Sequence, residues 1–325
     1  MNRIWIAISC AGLTGAAALA GPLDKAVVPR GAQWVFHLDA EAGWASTMGR
    51  YIVDHRADLD LEELDRVKQE TGIDPVKDIK GVTVYGTGPA ECDGVAVIYA
   101  SAAVDQMVAR MLETKEDGIR QTDVEGYKVL TWTEDEKPRY AQVRPDGEGR
   151  LVIAASDAAH LLLGIHVLEG KERSLKGEQS GLGAAAPGPG SIVFASASHL
   201  PDAEALPFQH AEGLTLDAGE TAHEIYADLR VTAKSTEEAT NMSQVAMGAI
   251  AMARMLANNN PEYKDAVQLL NGVSVVCEQR EVVGKFRISS DQVGAALAAM
   301  SEKGRPHHKP LKKKGTKKDD AGDKD

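Results

Sequence analysis

The chain has 325 residues, of which 43% are hydrophobic and 26% charged, and its formal net charge at pH 7 is −12. Residues 302–325 carry +4 and Arg3 carries +1, so residues 21–301 hold a net charge of −17. A body this acidic is repelled by nucleic acid and anionic membranes, which argues against nucleic acid as its partner. Its length suffices for one large or two ordinary domains.

The first 20 residues have the layout of a cleavable secretory signal. Arg3 precedes an apolar stretch from Ile4 to Leu19, and the small residues around Ala20 precede Gly21. We predict cleavage near Ala20 and export to the periplasm or the extracellular space. An uncleaved anchor is the alternative, although this alanine-rich stretch is short for a membrane span of about 20 strongly apolar residues.

After cleavage, two cysteines remain, Cys92 and Cys277. An oxidising compartment allows a disulfide between them, but Cys277 lies in a strand-like apolar run, which favours a small core residue. Neither cysteine has metal-ligand spacing, and the sequence predicts no metal and no cofactor.

The first predicted strand, WVFHLDA over residues 34–40, carries the first candidate ligand-binding residues. His37 and Asp39 are two apart, so they face the same side and form a candidate ligand-binding pair. Without a third ligand in view, a structural hydrogen-bonded pair is favoured over a metal site.

The three tryptophans of the predicted mature chain, Trp34, Trp44 and Trp132, all lie in the first half. Aromatic faces exposed in a groove would bind sugar rings or a partner peptide, so these residues are further candidates for ligand binding. Core packing of a sheet is the more ordinary use, and both interpretations remain open.

The glycine-rich stretch GVTVYGTGPAECDG, residues 81–94, is predicted to be a hairpin. It lies between two β-branched runs, whereas phosphate-binding loops need a helix directly after their glycines. Apolar residues from Val104 to Leu112 then recur at helical spacing, and a three-strand meander ends in LVIAA at 151–155. Serine is the predicted N-cap at four strand-to-helix junctions: Ser101, Ser156, Ser235 and Ser290.

The same order of elements recurs later in the chain, so we predict an α+β fold of two similar modules, each a mainly antiparallel sheet with helices packed on one face. The modules cover residues 21–173 and 191–301, joined by a Gly/Ala/Pro linker at 174–190. The second module contains an Ala- and Met-rich helix from Met242, predicted to pack against the sheet rather than to bind an adaptable partner. The layout around TGIDPVKDIKGVTVYG, residues 71–86, resembles exported bacterial proteins of unassigned activity built from repeated strand-helix-hairpin units.

Residues 302–325 are predicted to form a disordered charged tail. One interpretation is electrostatic contact with an anionic surface through its lysines, and the other is a solvated end without a partner. The lysines in question are Lys312, Lys313, Lys314, Lys317 and Lys318.

No GxSxG, HExxH or CxxC motif is present. We therefore predict an exported, non-enzymatic binding or scaffolding protein of the periplasm or cell envelope, with a protein or an envelope surface as its partner. The alternative is an exported hydrolase with a dispersed site between the two modules, built from acidic residues or from the loop histidines His199, His210 and His223. Dispersed carboxylates leave no sequence signature, so this alternative stays open.

Overall fold

A computed structural model describes residues 21–55, 62–88, 94–114, 118–198, 211–222, 224–259 and 269–293. The predicted signal, Cys92, the three loop histidines, and the tail with its five lysines lie outside these residues. Cys277 lies within them and forms no disulfide with another described residue. None of the described helices is long and apolar enough to cross a membrane.

The described part of the chain contains twelve strands and, besides short 3-10 turns and the helical residues 269–271 and 290–293, seven α-helices with defined bounds. The helices are α1 Ala40–Ala45, α2 Thr47–Asp54, α3 Glu62–Thr71, α4 Pro75–Asp78, α5 Ala103–Thr114, α6 Ala158–Leu168 and α7 Thr236–Asn259. The strands are β1 Trp34–Asp39, β2 Ile79–Gly86, β3 Gly94–Ala100, β4 Arg120–Val124, β5 Tyr127–Glu134, β6 Lys137–Asp146, β7 Gly149–Ala155, β8 Ser191–Ala197, β9 Ala211–Thr221, β10 Glu224–Ala233, β11 Val273–Glu278 and β12 Glu281–Ser289.

All twelve strands belong to one sheet, in the order β11-β12-β10-β9-β8-β1-β2-β3-β7-β6-β5-β4. Every neighbouring pair is antiparallel, so the prediction of a mixed α+β fold with a mainly antiparallel sheet is confirmed. The prediction of a separate sheet for each half is wrong. β1 and β8 pair directly, with His37 opposite Phe194, and this pairing joins the two halves into one continuous sheet.

The hairpin predicted at residues 81–94 is confirmed, because β2 and β3 pair antiparallel with Gly86 opposite Gly94. The indole of Trp34 lies against Gly86, where a Cβ atom would come within 2.5 Å of Trp34 Nε1. That nitrogen donates a hydrogen bond to the carbonyl oxygen of Gly88 at 3.1 Å. Glycine at position 86 therefore makes room for an indole ring.

The first half of the sheet is covered on both faces, so the prediction of helices on one face is wrong there. Ile98 packs in one cluster with Val104 of α5, whereas its neighbour Val97 packs in another with Leu161 of α6. The apolar run of β3 is buried on both faces, as in the central strand of a layered fold. Leu175 and Leu182, from the predicted linker, also join the α6 cluster, so this segment is part of the core.

The second half has one helix-covered face and one polar face. α7 contacts β10, β11 and β12 on the same face that α5 occupies in the first half. On the opposite face Arg287 Nη1 pairs with Asp228 Oδ1 at 2.6 Å, and its guanidinium lies over the ring of Tyr226. Charged side chains on that face remain in contact with solvent, which is the usual arrangement for an antiparallel sheet packed on one side.

The serine N-caps are partly confirmed. Ser101 Oγ accepts a hydrogen bond from the amide of Ala103, and Ser235 Oγ accepts one from the amide of Glu238. At α6 the prediction of Ser156 is wrong, because Asp157 caps the helix and accepts from the amide of His160. Carboxylate and hydroxyl are nearly equivalent at this position, so two adjacent candidates cannot be ranked by residue type.

Ser290 is not an N-cap, because a helix already begins at this residue, and its hydroxyl donates to Glu220 Oε1 at 3.0 Å. The same carboxylate accepts from the amide of Thr47 at 2.7 Å and from its hydroxyl at 2.5 Å. Thr47 is the first residue of α2, so a carboxylate from β9 satisfies a free amide of a helix in the first half. Glu220 thus bonds the two halves beside the β1–β8 pairing.

We expect Glu220→Gln to lower the free energy of unfolding by about 1–2 kcal/mol, because hydrogen bonds to a charged acceptor lose strength when the charge is removed. Urea unfolding followed by circular dichroism measures the effect. Glu224→Gln is the matched control, because the Glu224 side chain is 51% exposed and lies 3.8 Å from Arg287. Equal losses in the two variants would contradict the linking role of Glu220.

Candidate functional site

Within the ranges that the structure describes, apolar cavities lie between the helices and the sheet. The first, of about 100 Å³, lies beneath α5 and is called the α5 cavity here. The second, of about 200 Å³, lies between α2 and strands β8 to β10. The third, of about 230 Å³, lies beneath α7 and is called the α7 cavity.

The α5 cavity has the most extensive lining of the three. α5 supplies the apolar side that its helical spacing predicts, while α3, α4 and five strands complete the walls. The lining residues are Val67, Thr71, Ile73, Pro75, Ile79, Ile98, Ala100, Val104, Met107, Val108, Met111, Ile119, Leu130, Trp132, Ala141, Val143, Val152 and Ala154. Side chains from residue 67 to residue 154 therefore enclose one space that is almost wholly apolar.

Only two side chains of the α5 cavity carry polar atoms. The hydroxyl of Thr71 is fully used, since it donates to the carbonyl oxygen of Val67 at 2.7 Å and accepts from the amide of Ile73 at 3.1 Å. Trp132, in β5, is 5% exposed, and its buried Nε1–H has no hydrogen-bond partner among the described residues. Trp132 therefore lines an almost wholly apolar cavity with an indole ring whose N–H donor is buried and unused.

This arrangement costs stability when the cavity is empty. A void of about 100 Å³ costs roughly 2 kcal/mol at the known dependence on cavity volume. A buried donor without a partner costs about 1–3 kcal/mol more. A small apolar molecule with one hydrogen-bond acceptor would offset both costs, so the α5 cavity is the candidate functional site.

The other two tryptophans lie away from this cavity. Trp34 is at the start of β1, and Trp44 is buried in α1. Four strands separate β1 from β5 in the sheet, which corresponds to roughly 24 Å between strand axes. The structure therefore places Trp34 and Trp132 in separate environments, with Trp132 alone lining the α5 cavity.

His37 is held from both ring nitrogens. Its Nε2 lies 3.1 Å from the carbonyl oxygen of Gly21, which can only accept, so Nε2 carries the proton. Its Nδ1 lies 2.9 Å from Thr83 Oγ1, and in this tautomer the hydroxyl donates. Burial lowers the pKa of His37 to about 4, the bond to Gly21 opposing the shift. His37 is thus a neutral residue that fixes the segment beginning at Gly21 onto β1 and β2.

The Asp39 carboxylate has a different structural role from the His37 ring. It is the N-cap of α1, and its Oδ1 accepts from the amide of Ala42 at 2.9 Å. Burial raises the pKa of its carboxyl, with the backbone bond to Ala42 opposing that shift. The two candidates share an environment on β1, but each binds its own partner.

Of the other described histidines, His55 and His160 also have local hydrogen-bond partners. His55 Nδ1 bonds to the carbonyl oxygen of Tyr51 at 3.0 Å, and His160 Nδ1 lies 2.6 Å from Asp157 Oδ2. Within the described ranges, no group of three or more histidine, cysteine or carboxylate side chains is placed to hold a metal ion. These contacts stabilise helix ends, and none of them joins a histidine to a serine or cysteine.

Comparison with known proteins assigns no family to this chain. No protein-family model matches the chain, and no curated protein matches it. Crystal form III of TP0453 is 13% identical with a TM-score of 0.42, covering 87% of this chain and 100% of that chain. Crystal form IV is 12% identical with a TM-score of 0.40, covering 86% and 98%. Similarity at this level carries no inference about ligand or activity.

Proposed function

We propose that the chain is an exported, non-enzymatic binding protein of the periplasm or cell envelope, and that the α5 cavity binds a small apolar molecule carrying one hydrogen-bond acceptor. The observation that carries the proposal is the unpartnered Nε1–H of Trp132 in a wall that is otherwise apolar or internally satisfied. Binding sites of this kind combine apolar walls with a few polar groups that fix orientation.

The cavity volume limits the ligand. A cavity of 150 Å³ binds benzene in another protein, so about 100 Å³ accepts a small ring only with slight outward movement of α5. A longer molecule would enter with one apolar end. A carbonyl or ether oxygen in the ligand would accept from Trp132, which distinguishes it from a plain hydrocarbon of the same shape.

The test compares cyclohexanone with cyclohexane, which differ by one acceptor. In the chain from Gly21 onward, labelled with nitrogen-15, the three indole N–H groups give three resonances in a proton–nitrogen correlation spectrum. We expect cyclohexanone to shift the Trp132 resonance downfield while those of Trp34 and Trp44 stay in place. Trp132→Phe identifies the resonance, and cyclohexane should cause a smaller shift because it offers no acceptor.

A pair of alanine variants controls for location. Ala154 lines the cavity, so Ala154→Leu should fill it and abolish the response to cyclohexanone. Ala109 lies on the exposed side of α5, so Ala109→Leu should leave the response unchanged. A Trp132 resonance that does not move, or that moves equally with both compounds, would refute the proposed ligand chemistry.

We also propose that the two halves are similar modules derived from one ancestor. The order β1-β2-β3-β7-β6 parallels β8-β9-β10-β12-β11, with α5 and α7 each following the third strand. The α5 and α7 cavities lie under these two helices, over matching strands. The hairpin of β4 and β5 would then be an addition to the first module. An experimental structure in which residues 34–155 and 191–289 fail to superpose over the shared elements would overturn this proposal.

A further inference from the structure

α7 packs one side against the sheet, as predicted, and exposes a row of large apolar side chains to solvent on the other. Val245 is 64% exposed, Met252 60%, Leu256 60% and Met255 56%. With Gly248, which has open space around its Cα, they recur at intervals of three and four residues and form one face, called the α7 stripe here. Patches of this kind on a soluble domain mark interaction sites.

The stripe arises because the helix turns its small residues toward the sheet. Ala239 and Ala257 are fully or nearly buried and Met242 packs beside them, whereas Met252, Met255 and Leu256 project outward. The α7 cavity of about 230 Å³ lies beneath this side, and the helix lines it with Met242, Val245, Ala246 and Ala249. The sequence therefore places its greater apolar area on the side of α7 away from the sheet.

The stripe is self-complementary in an antiparallel pairing. When two copies of α7 lie side by side in opposite directions about a dyad at position 250, Gly248 faces Met252 and Val245 faces Met255 of the other copy. Asn241 and Asn259 face each other at the ends. Met252 and Met255 then each meet a smaller residue and Leu256 faces Gln244, which allows close packing of the two helices.

Charge also favours a second copy. Residues 21–301 carry −17, so two copies repel each other over most of their surface. From Ala239 to Asn259 the single charged residue is Arg254, and its guanidinium donates to the carbonyl oxygens of Leu270 and Val273. The α7 stripe is thus a region where two acidic copies of the chain can meet without bringing acidic side chains close together.

We propose that the α7 stripe is a homodimer interface in which two α7 helices pack antiparallel about a two-fold axis. A membrane surface fits less well, because interfacial helices carry lysine and arginine on their polar face and aromatic residues on the other. α7 has no lysine and no aromatic residue, and it begins with Glu237 and Glu238. A two-fold axis uses the same patch on both copies, which is the commonest interface in soluble oligomers.

Sedimentation velocity of the chain from Gly21 onward tests the interface. We expect a concentration-dependent dimer, and Met252→Glu should weaken it about tenfold or more because it places like charges beside the axis. Ala109→Glu adds the same charge on the exposed side of α5 and should leave dimerisation unchanged. A monomer at every concentration, or a dimer that Met252→Glu leaves intact, would overturn the proposal.

Disulfide trapping tests the direction and register. In a Cys92→Ser, Cys277→Ala background, Val245→Cys and Met255→Cys proteins are oxidised separately and as a mixture. The antiparallel register predicts a mixed disulfide far in excess of either homodimer, because two Val245 positions lie about 15 Å apart along the axis. Efficient homodimeric cross-linking of Val245→Cys would indicate parallel helices and overturn the register. Monomeric protein could instead float with phosphatidylglycerol vesicles and lose this binding in Met252→Glu. That result would show that a membrane, and not a second copy, covers the α7 stripe.

Discussion

The chain from Gly21 onward is expected to lose about 3 kcal/mol of unfolding free energy through His37 as the pH falls from 6.5 to 4. The folded protein keeps His37 neutral, because burial lowers its pKa from 6.5 to about 4. The unfolded chain binds a proton at that site below pH 6.5, and the folded chain does not until about pH 4. The contribution of His37 is therefore complete above pH 6.5 and is lost across this interval.

Two variants separate the effect of His37 on stability from that of Asp39. His37→Gln removes the titrating group, so its stability should fall less steeply with pH than that of the wild-type chain. Asp39 acts in the opposite direction, because its raised pKa lets the folded state bind a proton more readily and gain stability as the pH falls. Asp39→Asn should therefore steepen the loss, while an asparagine still caps α1. Urea unfolding between pH 4 and 7.5 measures both. If the unfolding free energies of the wild-type chain and of His37→Gln had the same pH dependence, the claim that the folded protein keeps His37 neutral would be refuted.

The sequence predicts elements well where local chemistry decides them. The hairpin from residue 81 to 94 follows from two β-branched runs around a turn, and α5 follows from apolar residues at helical spacing. Both need only neighbouring residues, and both are confirmed.

Layering and cavity formation were not predictable in the same way. The run VAVIYA in β3 is apolar on both faces, so alternation cannot say whether one face or two are covered. The joining of the halves depends on pairing between β1 and β8, whose partners lie more than 150 residues apart. Trp132 was a candidate for its residue type alone, and its role beside residues such as Thr71 needs the tertiary contacts.

Strand alternation predicts that His37 and Asp39 face the same side of β1, but it does not predict their partners. His37 and Asp39 share an environment because both lie on β1, yet their partners are Gly21 with Thr83 and Ala42. The partner of a buried polar side chain is set by what packs over it, so a pair that looks like a site can consist of two separate structural bonds.

Gly49→Ala is expected to lower the free energy of unfolding by about 3 kcal/mol, at the upper end of the range for overpacking. α2 begins directly after α1, and Ser46 both ends one helix and caps the next. In this tight corner a Cβ atom at position 49 would lie 2.1 Å from the carbonyl oxygen of Gly43 and 2.7 Å from Trp44 Cα. Both obstacles are backbone atoms, so a side-chain rotation cannot relieve the contact.

Gly49→Ala should also weaken the hydrogen bonds between Thr47 and Glu220 that join the two halves. Moving α2 away from α1 would displace Thr47, whose amide and hydroxyl bind Glu220, so Gly49→Ala should also remove most of the further effect of Glu220→Gln. Thermal and urea unfolding of the two single variants and the double variant measure this coupling. Gly31→Ala, at an exposed position with nothing within 4 Å of the added Cβ, should change stability by less than about 0.5 kcal/mol. Two results would contradict the conclusion that the corner between α1 and α2 positions Thr47. One is an equal loss of unfolding free energy in Gly31→Ala and Gly49→Ala, and the other is additive losses in the double variant.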